Sequence, residues 1–464
     1  GTWSANNLVD NVWGHYYEGI RAANFYLKET AGLTFDEWKY SDDYEAIMKE
    51  FTNYQYEVRF LRAYFYFELI KRYRNIPFVL DVLAQNEANG VNPESYEKIA
   101  KFIVDECSDL AQILPVNYDN FSTKEKGRVT RAAAMALKSR VTLYMASPLF
   151  SEDSEDKWKQ AAEAAYDIIK QKTDLGLDLV PYPQIFNDVN NQKAEVILYR
   201  PTGESGDFEK ANFPIGVEGG KTSTCPTQNL MEAYDMKDGT PFVWNNQSNP
   251  YDNRDPRMKY TIVCNEMKWP VDPVEIWEGG TNGLPLQNAT TTGYYLKKYV
   301  NNTISFEAGS TVTKKQHNWV LFRYGEILLN YAEAMINAFH DPNYKDAVYN
   351  MSAREAVNQI RGRTNISLPG FPSDITEKDF VKRLKNERRV ELAFEGHRFW
   401  DVRRWKELGQ TANIYGVKIT KNNEVISYEK FLLETRAVTD NMYFYPIPNT
   451  ERFKNPNLRQ NPGW

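Results

Sequence analysis

Glu387, Glu391 and Glu395 lie four residues apart, two residues short of His397, in the segment NERRVELAFEGHRFWDVRRW (386–405). On a helix that spacing sets all three carboxylates on one face. Two chemistries use such a face. Di-iron helices place Glu and His at i and i+3, whereas Glu395 and His397 are two apart and point to different sides. Acid–base catalysis by a carboxylate pair is open to any acidic helix, but glutamates held by cations make poor acids. Arg383 before Glu387, Arg388 before Glu391 and Arg398 after Glu395 all fall within helical reach. Such pairs contribute about 0.2–0.5 kcal/mol each. The segment is therefore expected to be an ion-paired scaffold helix with Val390, Ala393 and Phe394 on its apolar side. Gly396 allows a bend, and Phe399, Trp400 and Trp405 anchor a second short helix. Elsewhere Cys107, Cys225 and Cys264 form no CxxC, and His15, His317 and His340 no HExxH. Neither a zinc centre nor a disulfide framework is expected.

The elements that would carry these groups are mostly helical. Apolar periodicity predicts helices over 11–29, 56–73, 95–115, 130–148 and 156–171. Ser95 and Thr130 are candidate caps, and Pro77 and Pro148 are stops. Long aromatic helices alternate with shorter Ala/Ile-rich ones: 56–73 with 95–113, 130–146 with 156–171, and 320–339 with 352–363. The pairs resemble degenerate tetratricopeptide hairpins. The expected fold is mainly α, a scaffold of tetratricopeptide-like hairpins (11–200 and 318–406) with a long loop-rich insertion containing short strands (201–317). Residues 407–464 are expected as a turn-rich C-terminal strap.

Residues 201–300 hold 10 of the 25 glycines and 9 of the 22 prolines, a density that excludes long helices. A loop cannot bury every large ring it carries, so aromatics there are candidates for exposed contact residues. Trp269 and Trp277 lie in MKWPVDPVEIWEGG. Tyr294 and Tyr295 follow in GYYLKKYV; on a strand they face opposite ways, and Tyr294 is taken as the outward ring, with loop-core packing the alternative for Trp269, Trp277 and Tyr294 alike. Trp244 and Trp319 are read as packing. In YDNRDPRM, Asp252, Arg254, Asp255 and Arg257 are read as turn chemistry with local ion pairing.

Composition sets further bounds. The 464 residues could hold two or three domains by length alone. Net charge is −6, so there is no basic field for phosphate, and nucleic acid drops out as a partner. Aromatics make up 14%, enough to supply a core and also keep several rings for a binding face. No run is long enough to span a membrane. The chain begins GTWSANN, without Met or an acylated cysteine, and a leading segment is expected to precede it.

LKNERRVELAFEGHRFWDVRRW strongly resembles the C-terminal signature of SusD/RagB-type outer-membrane nutrient-binding proteins. WGHYYEGIRAANFYL, VRFLRAYFYFELIKRYRNIPFVL, GRVTRAAAMALKSRVTLYMASPLF, PTQNLMEAYDMKDGTPF, YDNRDPRM, GYYLKKYV, FRYGEILLNYAEA and YPIPNTERFKNPNLRQNPGW fit in the same order. The likeness covers nearly the whole chain, as one domain over 1–464. It implies a helical scaffold that docks on a SusC-like TonB-dependent transporter, a loop-built face that captures oligosaccharides, no catalysis, and a surface position held by a lipid anchor absent from this chain. It also gives a role to Trp3 and Asn6 of TWSANN, since some members use a Trp and an Asn three residues on to bind glycan. The alternative for these two is that Trp3 packs on the scaffold and Asn6 caps a turn.

A sugar offers hydroxyl rims and weakly apolar C–H faces. Flat rings with amide or guanidinium partners grip both without catalysis. The expected ligand-binding set is Trp3, Asn6, Trp269, Trp277 and Tyr294. Other readings are a peptide- or protein-binding member of the same family, a helical adaptor, or an all-helical glycosidase. The last needs two carboxylates about 5–10 Å apart across a groove, and Asp235, Asp238, Asp252 and Asp255 show no spacing that singles out a pair. No cofactor is expected, although loop acids and carbonyls could hold a structural calcium without recognisable spacing.

Overall fold

A computed structural model describes residues 3–152, 154–245, 249–307 and 313–464. By internal contacts the chain divides into two compact units. One comprises Gly1–Gly176, Arg403–Lys406 and Ala437–Trp464; the other comprises Leu177–Val402 and Glu407–Arg436.

The first unit is built on α1 (Trp13–Thr30), α2 (Tyr44–Tyr73), α3 (Tyr96–Ile113), α4 (Arg131–Ala146) and α5 (Glu155–Lys170). Ser95, Thr130 and Ser154 accept from Lys98 N, Ala133 N and Lys157 N at the starts of α3, α4 and α5. Each such cap is worth about 1 kcal/mol. Successive helices pack in turn, α1 on α2, α2 on α3, α3 on α4 and α4 on α5. Buried alanines allow close approach of backbones: Ala133, Ala134 and Ala136 on α4, and Ala161, Ala162 and Ala165 on α5. These are the tetratricopeptide-like hairpins expected from the sequence. One boundary differs. α2 begins at Tyr44 rather than Tyr56, because YEAIMKEFTNYQ contains no breaker and joins the aromatic helix directly. Its end at Tyr73 is turned by Arg74 at φ 67°.

The second unit holds β1 (Val196–Pro201), antiparallel to β2 (Asn318–Arg323), followed by α6 (Tyr324–Phe339), α7 (Ala353–Arg361) and α8 (Glu377–Glu391). α6 and α7 pair as expected, and both pack on α8. Residues 320–323, expected as the first turn of α6, are the end of β2. Their run of Trp319, Val320, Leu321 and Phe322 favours a strand. Gly396 takes φ 79° between α8 and the short α9 (Arg398–Arg404).

Residues 407–464, expected as a strap, hold the longest hairpin in the chain. β3 (Asn413–Asn422) pairs with β4 (Val425–Thr435) through a tight turn in which Asn423 and Glu424 both have positive φ, 47° and 66°. Residues 437–464 return to the first unit. There Tyr445 N donates to Arg72 O at 2.7 Å and Asn461 Nδ2 to Tyr73 O at 3.1 Å, and a short helix spans Asn449–Lys454. Among the described residues no helix is long and apolar enough to cross a membrane.

Candidate functional site

The glutamate ladder is the centre of a buried ionic network in the second unit, although the helix expected to carry all three acids stops at Glu391: Glu387 and Glu391 lie on α8 and Glu395 in the turn just past its end. Glu391 accepts from Arg363 Nη2 at 2.7 Å, Arg257 Nη1 at 2.8 Å and Arg323 Nη1 at 2.9 Å. Glu387 is held by Arg361 Nη1 at 2.7 Å and by Arg257; Glu395 is held by Arg323 Nε at 2.7 Å and Lys298 Nζ at 2.8 Å. Glu195 closes the ring on Arg323 and Arg363. The scaffold role is as expected, but the partners are not. Arg388 turns to Asp401 at 2.9 Å, Arg398 donates to Gln410 at 2.8 Å, and Arg383 donates to Gly239 O at 2.8 Å. Carboxylates this deeply buried need several strong donors each, and neighbours on one helix cannot converge on them. Burial alone pushes the Glu391 carboxyl up; Arg363, Arg323 and Arg257 outweigh it and hold the group well below the usual carboxylate range. His397 lies 3.5 Å from Arg388 and 3.9 Å from Glu326, away from the three acids. Among the described residues no group of His, Cys, Asp or Glu is placed to hold a metal ion.

Two of the three loop rings expected to face ligand are core. Tyr294 is fully buried and donates to Gln228 Oε1 at 2.6 Å; Tyr295 is fully buried as well. Trp269 is 6% exposed, with Lys297 Nζ 4.9 Å from its ring. Trp277 is half-buried, and Lys421 Nζ stands 4.7 Å over its ring. The cause is the β3–β4 hairpin, absent from the sequence expectation. Val417, Ile419 and Tyr428 join Trp269, Tyr294 and Tyr295 in one buried cluster, so the hairpin supplies the cover the loops lacked on paper. YDNRDPRM does carry a local ion pair: Arg257 and Asp255 meet at 2.8 Å, and Asp255 caps Pro256–Thr261.

The structure brings Trp3 and Asn6 together with the C-terminal segment of the same unit. Ser4 and Asn7 exchange backbone hydrogen bonds at 3.0 and 3.1 Å, and the Ser4 hydroxyl accepts from Asn7 N at 3.2 Å. Ser4, not Asn6, does the capping in this turn, and Asn6 is left exposed. Asn449 N donates to Ala5 O at 3.1 Å, and its side chain donates to Asn6 Oδ1 at 2.9 Å. Arg452 Nη1 in turn donates to Asn449 Oδ1 at 3.0 Å. The Asn6 amide nitrogen keeps both its donors free among the described residues. Trp3 is half-buried, edge-on to Tyr445 (5.0 Å) and Trp464 (4.8 Å). Trp464 is fixed by its own indole N–H, which donates to Asn441 O at 2.8 Å and Phe444 O at 3.0 Å.

The helix Asn449–Lys454 has two working faces. Helical periodicity puts Phe453 on the side of Asn449 and Arg452, and its ring is 85% exposed. The other side carries Glu451 and Lys454, which line a cavity of 360 Å³ with Tyr17 and Arg21 of α1. Phe453 was not foreseen. Its signal was an aromatic set among polar residues in NTERFKNPN. Partly open rings beside fixed amides and a guanidinium are the chemistry that suits a polar ligand with apolar faces.

Comparison with known proteins follows the fold. The sequence profile of the SusD family matches residues 185–464, and a profile described as "Starch-binding associating with outer membrane" matches residues 2–143. A SusD-like protein of Formosa agariphila is 23% identical over 481 residues, 99% of this chain and 81% of that one. The crystal structure of a SusD-like protein from Bacteroides fragilis NCTC 9343 superposes with a TM-score of 0.81 at 26% identity, over 100% of this chain and 88% of that one. A SusD-like carbohydrate binding protein from the same species gives 0.80 at 26% identity, over 99% and 88%. The fold is shared by surface glycan-binding protein A of Bacteroides fluxus, with a TM-score of 0.67 at 22% identity over 99% and 86%.

Proposed function

The chain belongs to the SusD family, and from that premise we propose that it is a non-catalytic outer-membrane surface protein that captures oligosaccharides and passes them to a SusC-like TonB-dependent transporter. A lipid anchor outside these residues would hold it at the membrane. The observation that carries the ligand class is the surface of the first unit where the half-buried Trp3 and the exposed Phe453 accompany Asn6, Asn449 and Arg452. Rings cover the C–H faces of a sugar, and the amides and guanidinium reach its hydroxyl rims. The absence of catalysis is supported by the buried acids of the ladder. Glu387, Glu391 and Glu395 are all held below the usual carboxylate range by cations that outweigh burial, and such groups do not donate protons near neutral pH.

Titration calorimetry with neutral oligosaccharides of increasing length tests this. Affinity should be weak for monosaccharides and rise with chain length. A ring-face contact is worth about 1 kcal/mol, so Phe453→Ala should weaken binding roughly fivefold. Asn6→Ala should act in the same direction. Both side chains are exposed, so the melting temperature should not move. Binding unaltered in both variants, or no binding of any oligosaccharide, sinks the reading. Reducing ends released from a bound glycan would replace it with the glycosidase.

A further inference from the structure

Arg389 of α8 makes no hydrogen bond and no ion pair among the described residues. It is partly buried and lines a cavity of 860 Å³ in the second unit together with Arg398. Burial, and then the charge of Arg398, push the Arg389 guanidinium down to about 10. Arg398 is shifted in the same direction by burial, and its donor bond goes to a neutral acceptor, Gln410 Oε1 at 2.8 Å.

The acids around the pair are mostly engaged elsewhere. Glu407 is paired with Lys385 at 2.5 Å, Glu232 with Lys430 at 2.8 Å and Asp235 with Arg361 at 3.2 Å. Asp401, the first charge to favour the ionised Arg398, is held by Arg388 at 2.9 Å. Asp379 accepts from Thr376 at 2.9 Å, and Asp374 is exposed. Arg383 is spent on Gly239 O at 2.8 Å and on Asp235 at 3.6 Å. Lys378 and Lys382, also lining the cavity, carry no ion pair among the described residues. Two partly buried guanidinium groups that line one cavity, with no hydrogen-bonded carboxylate of their own among the described residues, disfavour each other's charge, and an incoming anion relieves both. The planar fork of arginine suits a two-oxygen carboxylate. The cavity exceeds the needs of a lone ion, and Pro241, Phe242 and Pro372 give it apolar wall.

We propose that this cavity is a second saccharide site, one that takes a uronic-acid unit, with the carboxylate received by Arg389 and Arg398 and the sugar set against the Pro241–Phe242 wall. The choice of a saccharide rests on the SusD reading; the place and the charge rest on the cavity. Trigalacturonate, its full methyl ester and sodium sulfate form the test, each titrated into the parent chain and into Arg389→Gln and Arg398→Gln. The acid should bind at least about tenfold tighter than the ester. Either substitution should erase that preference at an unchanged melting temperature, leaving the ester's affinity as it was, and about 0.5 M salt should shrink the preference in the parent. Equal affinity for acid and ester, or a preference that survives both substitutions, overturns the proposal. Sulfate binding as tightly as the trisaccharide overturns its saccharide part. The two readings fail separately. Neutral oligosaccharides that bind through Asn6 and Phe453 without acid preference leave the SusD reading standing and remove only this site.

Discussion

Glu68 of α2 repeats in the first unit, on a smaller scale, the situation of Glu391 in the second. Its carboxylate meets Lys71 Nζ and Arg72 Nη1, both at 2.6 Å. Burial raises its pKa, and Lys71 and Arg72 together outweigh burial to bring it down to about 2. Lys71 itself goes the opposite way to what pairing alone would give, down to about 8, because burial and the repulsion of Arg72 exceed its share of one acid. A depressed acid contributes stability that is complete above the unfolded value of 4.5 and lost as pH falls through about 2. The urea midpoint should therefore drop between pH 4.5 and 2, and Glu68→Gln should flatten part of that drop; an equally steep decline in the variant would contradict the assignment. The ladder Glu387, Glu391 and Glu395 was legible as scaffold from spacing alone. Its true partners, Arg257, Arg323, Arg361 and Arg363, were not, because they lie far away in sequence and nothing local marks them.

Among the elements, the β3–β4 hairpin decides most about the middle of the chain. The helices were readable because each carries a stripe and a cap. The hairpin was readable too: NIYGVKITKNNEVISYEKFLLET alternates around a turn of the kind that needs positive φ. Reading it as strap left Trp269 and Tyr294 without a cover, and so promoted them to ligand contacts. The hairpin docks closely on the loop it covers. Gly293 has φ 83°, and a Cβ there would lie 2.4 Å from Val417 O. Gly293→Ala should cost more than about 2 kcal/mol in thermal or urea unfolding, since neither backbone can yield cheaply. Gly409→Ala, with nothing within 4 Å of the added carbon, should stay within about 0.5 kcal/mol.

At the scale of the molecule, the first unit takes its parts from both ends of the chain. Trp3 leans on Tyr445 and Trp464, and Asn6 on Asn449, so the proposed neutral-sugar surface has no complete version in either segment alone. A chain ending at Arg436 should lose neutral oligosaccharide binding and melt at a lower temperature. The acid preference assigned to the Arg389 cavity draws only on residues before that point, so it provides an internal control for the truncation. That the Trp3 neighbourhood was foreseen at all came from family resemblance. Its ring partners Tyr445 and Trp464 sit more than 440 positions away, beyond any periodicity a reader could follow.

This two-ended construction sets an order of events during synthesis. Residues 437–464 leave the ribosome after all of the second unit, although α1 and α2 emerged long before. Until then the Tyr73 ring, which ends up edge-on to Tyr445 at 5.8 Å, lacks that neighbour. Helices α1 and α2 are thus finished by residues made about four hundred positions later, and through that interval their uncovered rings are what a passing chaperone, or another nascent chain, would meet.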